Sequence, residues 1–299
     1  MKDEKSSLDR RQFLKQVGLL AAGSSLALRA GQSKSEDKPK RARVVLVRDK
    51  RAVDDSGNLQ AEVIQRMLDD AVLALTGKSK VSEAWATLVS PDDLVGIKTN
   101  VWAHLPTPRE VEEALVRRIR EVGVPQDKIA IRDRGVHDDP AFRKATALFN
   151  ARPLRTHYWA GIGGCLKNYI QFVPKPYEYH PDECADLGAI WKLDRLRERT
   201  RLNVLVALTP LFYGRGPHHF DRKFTWPYCG LLVSTDPVAV DALGARLLQA
   251  KRVAFFGEDR PLDTTPKHVI LADTRHGIGC ANTEQIELIR IGWMQDSLI

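Results

Sequence analysis

The sequence predicts an α/β fold: a mostly parallel sheet with flanking helices, Rossmann-like in style. Three observations carry that prediction. Short β-branched runs alternate with amphipathic stripes, turn chemistry punctuates them, and the 299 residues suffice for a well-buried core. Arg43–Arg48 reads as the first strand, with Val44, Val45 and Val47 at its centre. Leu59 to Leu75 carries a helical apolar stripe, and Asp55-Ser56-Gly57-Asn58 supplies its turn and cap. Leu94–Lys98 is a second strand. Thr107 as N-cap and Pro108 at the first helical position open a helix to Val122, where Gly123 stops it. Lys128–Arg132 is a third strand. The C-terminal half repeats the style, with strands at Leu202–Leu208 and Leu231–Ser234 and a helix from Asp236 to Ala250. Further strands are read at His268–Leu271 and Ile286–Ile291. Residues 150–195, rich in aromatics and proline, read as an irregular insertion. The body from 44 to 299 is taken as one domain, with two lobes (44–150 and 196–299) as the other reading.

The first 43 residues are of another kind. Ser6-Ser7-Leu8-Asp9-Arg10-Arg11-Gln12-Phe13-Leu14-Lys15 precedes a mild apolar run from Val17 to Leu28. The order of paired arginines, Phe-Leu-Lys and a dilute apolar stretch resembles a twin-arginine export signal. The run is too short to span a bilayer as a helix. Residues 1–30 are therefore expected to be a signal peptide, and 31–43 a flexible linker. The implied partner is the twin-arginine export machinery, and the implied location is extracytoplasmic or periplasmic. A retained leader would give membrane or complex association. Such export carries folded proteins, which suits a cofactor or ligand acquired beforehand.

The net charge of +8 and pI near 9.3 raise nucleic acid as a partner. Residues 1–43 hold eleven of the 46 bases and five of the 38 acids, which leaves 35 and 33 in the body. A body this close to neutral does not call for nucleic acid. Cys165, Cys184, Cys229 and Cys280 form no Cys-x-x-Cys pair, so no iron–sulfur or zinc-ribbon motif is present.

Ligands of open α/β sheets sit beyond the carboxyl ends of strands. The residues to watch are thus Lys98-Thr99-Asn100, Asp133 and those after Leu208, Ser234 and Leu271. Lys98 and Asn100 suit an anion through a charge and an amide; rim snorkelling is the plainer reading of Lys98. Gly161-Ile162-Gly163-Gly164-Cys165-Leu166-Lys167-Asn168 is a glycine loop ending in Lys-Asn, open to an anion through backbone N–H groups or explained as a tight turn. Asp236 caps a helix that Pro237 begins, and Asp241 lies one turn further on. Both carboxylates are candidates for orienting a hydroxyl or metal. His218, His219 and Asp221 cluster in a loop, where His218 is a second metal candidate. His157 is the candidate for acid–base chemistry, because its pKa lies nearest neutral.

Taken together these segments resemble the bacterial and archaeal domain-of-unknown-function family 362. The matches are Ile97-Lys98-Thr99-Asn100, Arg155-Thr156-His157, Gly163 to Asn168, Gly214-Arg215-Gly216-Pro217, Ser234 to Asp241 with Gly244-Ala245-Arg246, and His276-Gly277-Ile278-Gly279. Thr99 stands where the family pattern has proline, and Arg155 where it has lysine. Many members carry ferredoxin-like cysteines, which this chain lacks. The resemblance implies a fold and a site, without a reaction. The expectation is an exported enzyme or redox accessory. Its small anionic ligand or cofactor would be held by Lys98, Asn100, Arg155, Gly163, Gly164, His157, Lys167 and Asn168. The competing expectation is a non-catalytic binding or assembly protein kept at the membrane by its leader.

Overall fold

The computed structural model describes residues 42–214 and 220–299. The segment read as a signal peptide (1–30), residues 31–41 of the expected linker and His218 lie outside them, while Ala42 and Arg43, the end of that expected linker, belong to the first strand. The strands are β1 (Ala42–Arg48), β2 (Val95–Lys98), β3 (Ile129–Arg132), β4 (Ala147–His157), β5 (Gly161–Gly163), β6 (Thr200–Leu211), β7 (Gly230–Ser234) and β8 (Ile286–Gly292). They form an eight-stranded sheet ordered β3-β2-β4-β6-β7-β1-β8, with β5 paired to β4. β2 with β3, β4 with β2 and β6, and β1 with β8 pair in parallel, whereas β7 runs antiparallel to both β6 and β1. The main helices are α1 (Ala61–Thr76), α2 (Val81–Trp85), α3 (Arg109–Val122), α4 (Pro140–Lys144), α5 (Cys165–Asn168), α6 (Pro237–Phe256) and α7 (Lys267–Thr274). Among the described residues no helix is long and apolar enough to cross a membrane.

Each sheet face is covered. On one side α1, α2 and α3 bury Val63, Ile64, Met67, Leu68, Trp85, Leu115 and Ile119 against Val45, Val47, Phe149 and Val204. On the other, α6, α7 and short helical turns between Tyr169 and Arg199 pack Tyr169, Trp191, Leu243 and Leu247 against Leu46, Leu154 and Leu205. The 3- and 4-residue spacing on α1 creates a single apolar face, and Gly77 (φ +68°) ends the helix in the left-handed conformation. A buried polar knot ties the first layer. Asp69 on α1 accepts Arg118 Nε and Nη2 from α3 at 2.8 and 2.5 Å and Trp85 Nε1 from α2 at 3.1 Å. Asp69→Ala is expected to cost about 3 kcal/mol, because Arg118 and the indole N–H lose their shared acceptor. Urea denaturation measures it, and a loss below about 1 kcal/mol would show the knot to be dispensable.

Several local expectations are corrected. Residues 150–195 are not one irregular insertion, because they open on most of β4, a central strand buried along its whole length. Proline is normally excluded from such a strand, having no N–H to give. Pro153 is accommodated where the β4–β6 register shifts, between Pro153 and Arg155. His268–Leu271 belongs to helix α7, where His268, Val269 and Ala272 face inward; a four-residue apolar run does not distinguish the two states. Pro108, not Thr107, takes the cap position of α3. Thr107 Oγ1 instead accepts from Asn100 N–H and donates to the Ala151 carbonyl, closing the 99–107 loop against β4. Gln60 likewise takes the cap position of α1, ahead of which Asp54 organises the turn at 54–58.

The sheet has a notch. Arg132, Lys98, Asn150, Asn203 and Ser234 lie in one row across five strands. β2 and β3 end at that row while β4 runs on to His157, and β5 takes up the same flank only from Arg155 to His157, so β4 has no strand neighbour on that side between Asn150 and Arg155. Because β7 is reversed, the chain after Ser234 leaves the row on the side away from this notch.

Candidate functional site

The notch holds a cavity of about 350 Å³. Its floor is Asn100, Asp133, Arg152, Arg155, His157, Lys167 and Asn168; Trp102, Tyr158, Trp159 and His180 stand around it. Arg152 and Arg155 are 5% and 3% exposed, Lys167 4% and Lys98 0%. In a regular strand residues three apart face opposite ways. With the register shift lying between Pro153 and Arg155, both guanidiniums line the one cavity.

Asn168 is the hub. Its Oδ1 accepts Arg152 Nη1 at 2.8 Å and Lys98 Nζ at 3.3 Å, and its Nδ2 donates to Asn150 Oδ1 at 2.8 Å and the Lys98 carbonyl at 3.3 Å. Asn150 Nδ2 in turn donates to Asn203 Oδ1 and the Cys165 carbonyl. Lys98 is no rim residue: its ammonium donates to Asp133 Oδ1 at 2.8 Å and to the Thr99 carbonyl at 2.7 Å. Burial lowers the Lys98 pKa to about 8 even against the attraction of Asp133. The Asp133 carboxyl is raised by burial, but the charge and hydrogen bond of Lys98 outweigh this and hold it below its ordinary value. Among the described residues Asp133 is the one acid lining the cavity, and Lys98 neutralises it.

The remaining buried cations, Arg152, Arg155 and Lys167, have no such acidic partner among the described residues, whereas the exposed Arg134 lies 4.0 Å from Asp133. Arg155 lies over the Trp102 ring at 4.5 Å, and its Nε, like that of Arg152, is buried without a hydrogen-bond partner among the described residues. Burial pushes Arg155 well below its ordinary pKa, and the neighbouring Arg152 adds to this. Burial, with Arg152 and Arg155 adding, lowers Lys167 to about 8; among the described residues its ammonium meets only the Cys184 sulfur at 3.5 Å, a thiol whose pKa burial raises. Asn100 Oδ1 and Thr156 Oγ1 are further buried polar atoms without a partner.

His157 is driven neutral by burial first, then by Lys167, Arg155 and Arg152. Its Nδ1 accepts the Trp159 N–H at 3.2 Å, so the ring proton sits on Nε2. In this state the imidazole offers the cavity a donor rather than a base.

The glycine loop does bind an anion through its backbone, but the anion is internal. Asp241 Oδ1 and Oδ2 accept the Cys165 and Leu166 N–H groups at 2.7 and 2.8 Å, and a Cβ at Gly164 would lie 2.3 Å from Asp241 Oδ1. Asp241 is fully buried, and its pKa rises to about 7 through burial, opposed by those N–H groups and Arg152. Gly163 serves the arginines: a Cβ there would sit 3.2 Å from Arg152 Nη2 and 3.4 Å from Arg155 Cζ. Asp236 is placed apart from the cavity. It accepts the Val238, Ala239 and Cys280 N–H groups, holding the Gly279 loop to the start of α6. Asp236, expected as catalytic, and Asp241, expected as a metal ligand, thus both accept backbone N–H groups here, and neither lines the cavity. Among the described residues no cluster of three His, Cys, Asp or Glu side chains could hold a metal.

The structure thus brings together Lys98, Asn100, Arg155, His157, Gly163, Lys167 and Asn168, and leaves Asp236 out. Sequence reasoning missed Arg152, Asn150, Asn203 and Trp102. The usable signal was a run of buried polar residues, Asn150, Arg152 and Arg155, inside an apolar segment; reading that segment as a loop concealed it.

Fold and cavity define an α/β protein with a buried cationic pocket at the carboxyl ends of parallel strands. A family model described as "Domain of unknown function (DUF362)" matches residues 117–246, in agreement with the resemblance read from the motifs. The match spans Arg152, Arg155, His157, Lys167, Asn168 and Asp241, while Lys98 and Asn100 precede it. Neither the curated proteins nor the solved structures yield a match.

Proposed function

We propose that this chain is an exported α/β enzyme that holds a small anionic substrate or cofactor in the β4 notch, against Arg152, Arg155 and Lys167. One observation carries the reading: two adjacent guanidiniums are nearly fully buried with unpaired Nε atoms. Uncompensated buried cations are costly, and a bound anion relieves that cost. The cavity also supports chemistry, because it holds a neutral His157 donor and a Lys98-paired Asp133 carboxylate beside the anion wall. Export rests on the Arg10-Arg11 leader. Thermal unfolding of the full chain at fixed ionic strength tests the anion site. Sulfate, phosphate or acetate at about 100 times its Kd should stabilise by about 2.7 kcal/mol relative to chloride. Indifference to all three anions would remove the proposal.

A further inference from the structure

Resting on that reading, we infer that the pocket selects a dianion whose charge sits on one compact group, such as a phosphate monoester, over monoanions. The charges around the cavity decide this. Lys98 and Asp133 cancel across their 2.8 Å contact. Arg134 also lines the cavity, 4.0 Å from Asp133, but its side chain is 80% exposed and water screens its charge. Arg152, Arg155 and Lys167 remain, all within the pocket wall and nearly fully buried. A further acid, Asp241, acts on Arg152 and spends both oxygens on the Cys165 and Leu166 N–H groups of the glycine loop. His157 and His180 are neutral at pH 7, because burial and Lys167 depress both. With Asp241 ionised the cluster keeps two surplus positive charges, and with Asp241 protonated it keeps three. A monoanion leaves one or two of them uncompensated in a dry site, whereas a dianion leaves none with Asp241 ionised and one with it protonated.

Compactness follows from Gly163. One point above its Cα lies 3.2 Å from Arg152 Nη2 and 3.4 Å from Arg155 Cζ, so the two guanidiniums converge over a bare glycine. Two convergent forks suit oxygens on a single phosphorus or sulfur, which present several acceptors in one place. A dicarboxylate carries its charges on separated carbons and reaches such a pair less well.

Isothermal titration of the full chain at pH 7.5 and constant ionic strength tests this with four probes: methyl phosphate, dimethyl phosphate, acetate and malonate. Methyl and dimethyl phosphate share a centre and differ by one charge. Methyl phosphate is expected to bind at least about tenfold tighter than dimethyl phosphate or acetate, one unscreened charge at such distances exceeding that factor. Lys167→Met removes one surplus charge and should bring methyl and dimethyl phosphate within about threefold of each other. Equal affinity of the two esters for the unaltered chain overturns the charge count while leaving an anion site standing. Malonate binding tighter than methyl phosphate overturns the single-group assignment. No binding by any probe overturns both the inference and the anion-site reading beneath it.

Discussion

Replacing Arg155 with methionine is expected to cut anion affinity about 100-fold and yet raise the stability of the ligand-free protein. The two effects have one cause. Arg155 carries a charge buried to 3% exposure, beside a second arginine, with an unpaired Nε and only a long 3.4 Å contact from Nη1 to the Thr156 carbonyl. Its compensation is the face of Trp102, worth about 2 kcal/mol when desolvated, which does not balance burial of a guanidinium. Methionine keeps an apolar stem against Trp102 and removes the charge. The expected gain is about 1–3 kcal/mol in the absence of ligand. Arg152 makes a less clean test, because its Nη1 bonds Asn168 Oδ1 and its loss disturbs the hub. Thermal melts with titrations of methyl phosphate read both quantities on one sample. A variant that binds like the parent, or melts well below it without ligand, would contradict the charge-burial account.

The second large effect is in acid. His157 and His268 are buried and held neutral, with His268 depressed to about 3 by burial first and then by Lys167 and Arg152. Both folded pKa values lie below the unfolded value near 6.5. Their contribution is therefore intact above about pH 6.5 and is lost as pH falls below it, when the unfolded chain takes protons the folded chain refuses. Between pH 7 and 5 this costs about 2 kcal/mol per histidine. Asp241 works in the opposite direction. Its folded pKa near 7 lies above the unfolded value, so acidification from 7 toward 4 protonates it in the folded state first and returns about 2 kcal/mol by pH 5. His268→Leu isolates one side of the balance. Neither ring nitrogen of His268 has a partner among the described residues, so leucine should stabilise by about 1 kcal/mol at pH 8. At pH 5 the gain should reach about 3 kcal/mol. Urea titrations at the two pH values measure the difference; a gain independent of pH would mean that His268 does not resist protonation.

Much of the fold was legible because its signals are local. The α1 stripe, Gly123 after α3, and Asp236-Pro237 before α6 each state a backbone conformation within a few residues, and the structure realises them. β4 was not legible: Pro153, Arg152 and Arg155 make it read as a loop, and only its position between β2 and β6 makes a strand of it. Strand direction was equally hidden. Nothing in Leu231–Ser234 distinguishes a parallel from an antiparallel neighbour, yet the reversal of β7 is what carries Asp236 away from the cavity. The loop ending in Lys167-Asn168 was visible as an anion-seeking motif. That its backbone would be satisfied by Asp241, 75 and 76 residues later in the chain, was not.

By itself the sequence determined an α/β body and its family resemblance, along with a basic N-terminal segment that leaves the body nearly neutral. It also determined most of the residues around the cationic cavity, because their types and strand-end positions are local facts. Tertiary structure decided which charges are balanced. Lys98 is neutralised by Asp133 and the glycine loop by Asp241, while Arg152, Arg155 and Lys167 are paired with no described acid and Asp241 offsets Arg152 only from a distance. Charge balance in a buried site depends on which groups lie within a few ångströms of one another out of water, and that is set by packing between segments far apart in the chain.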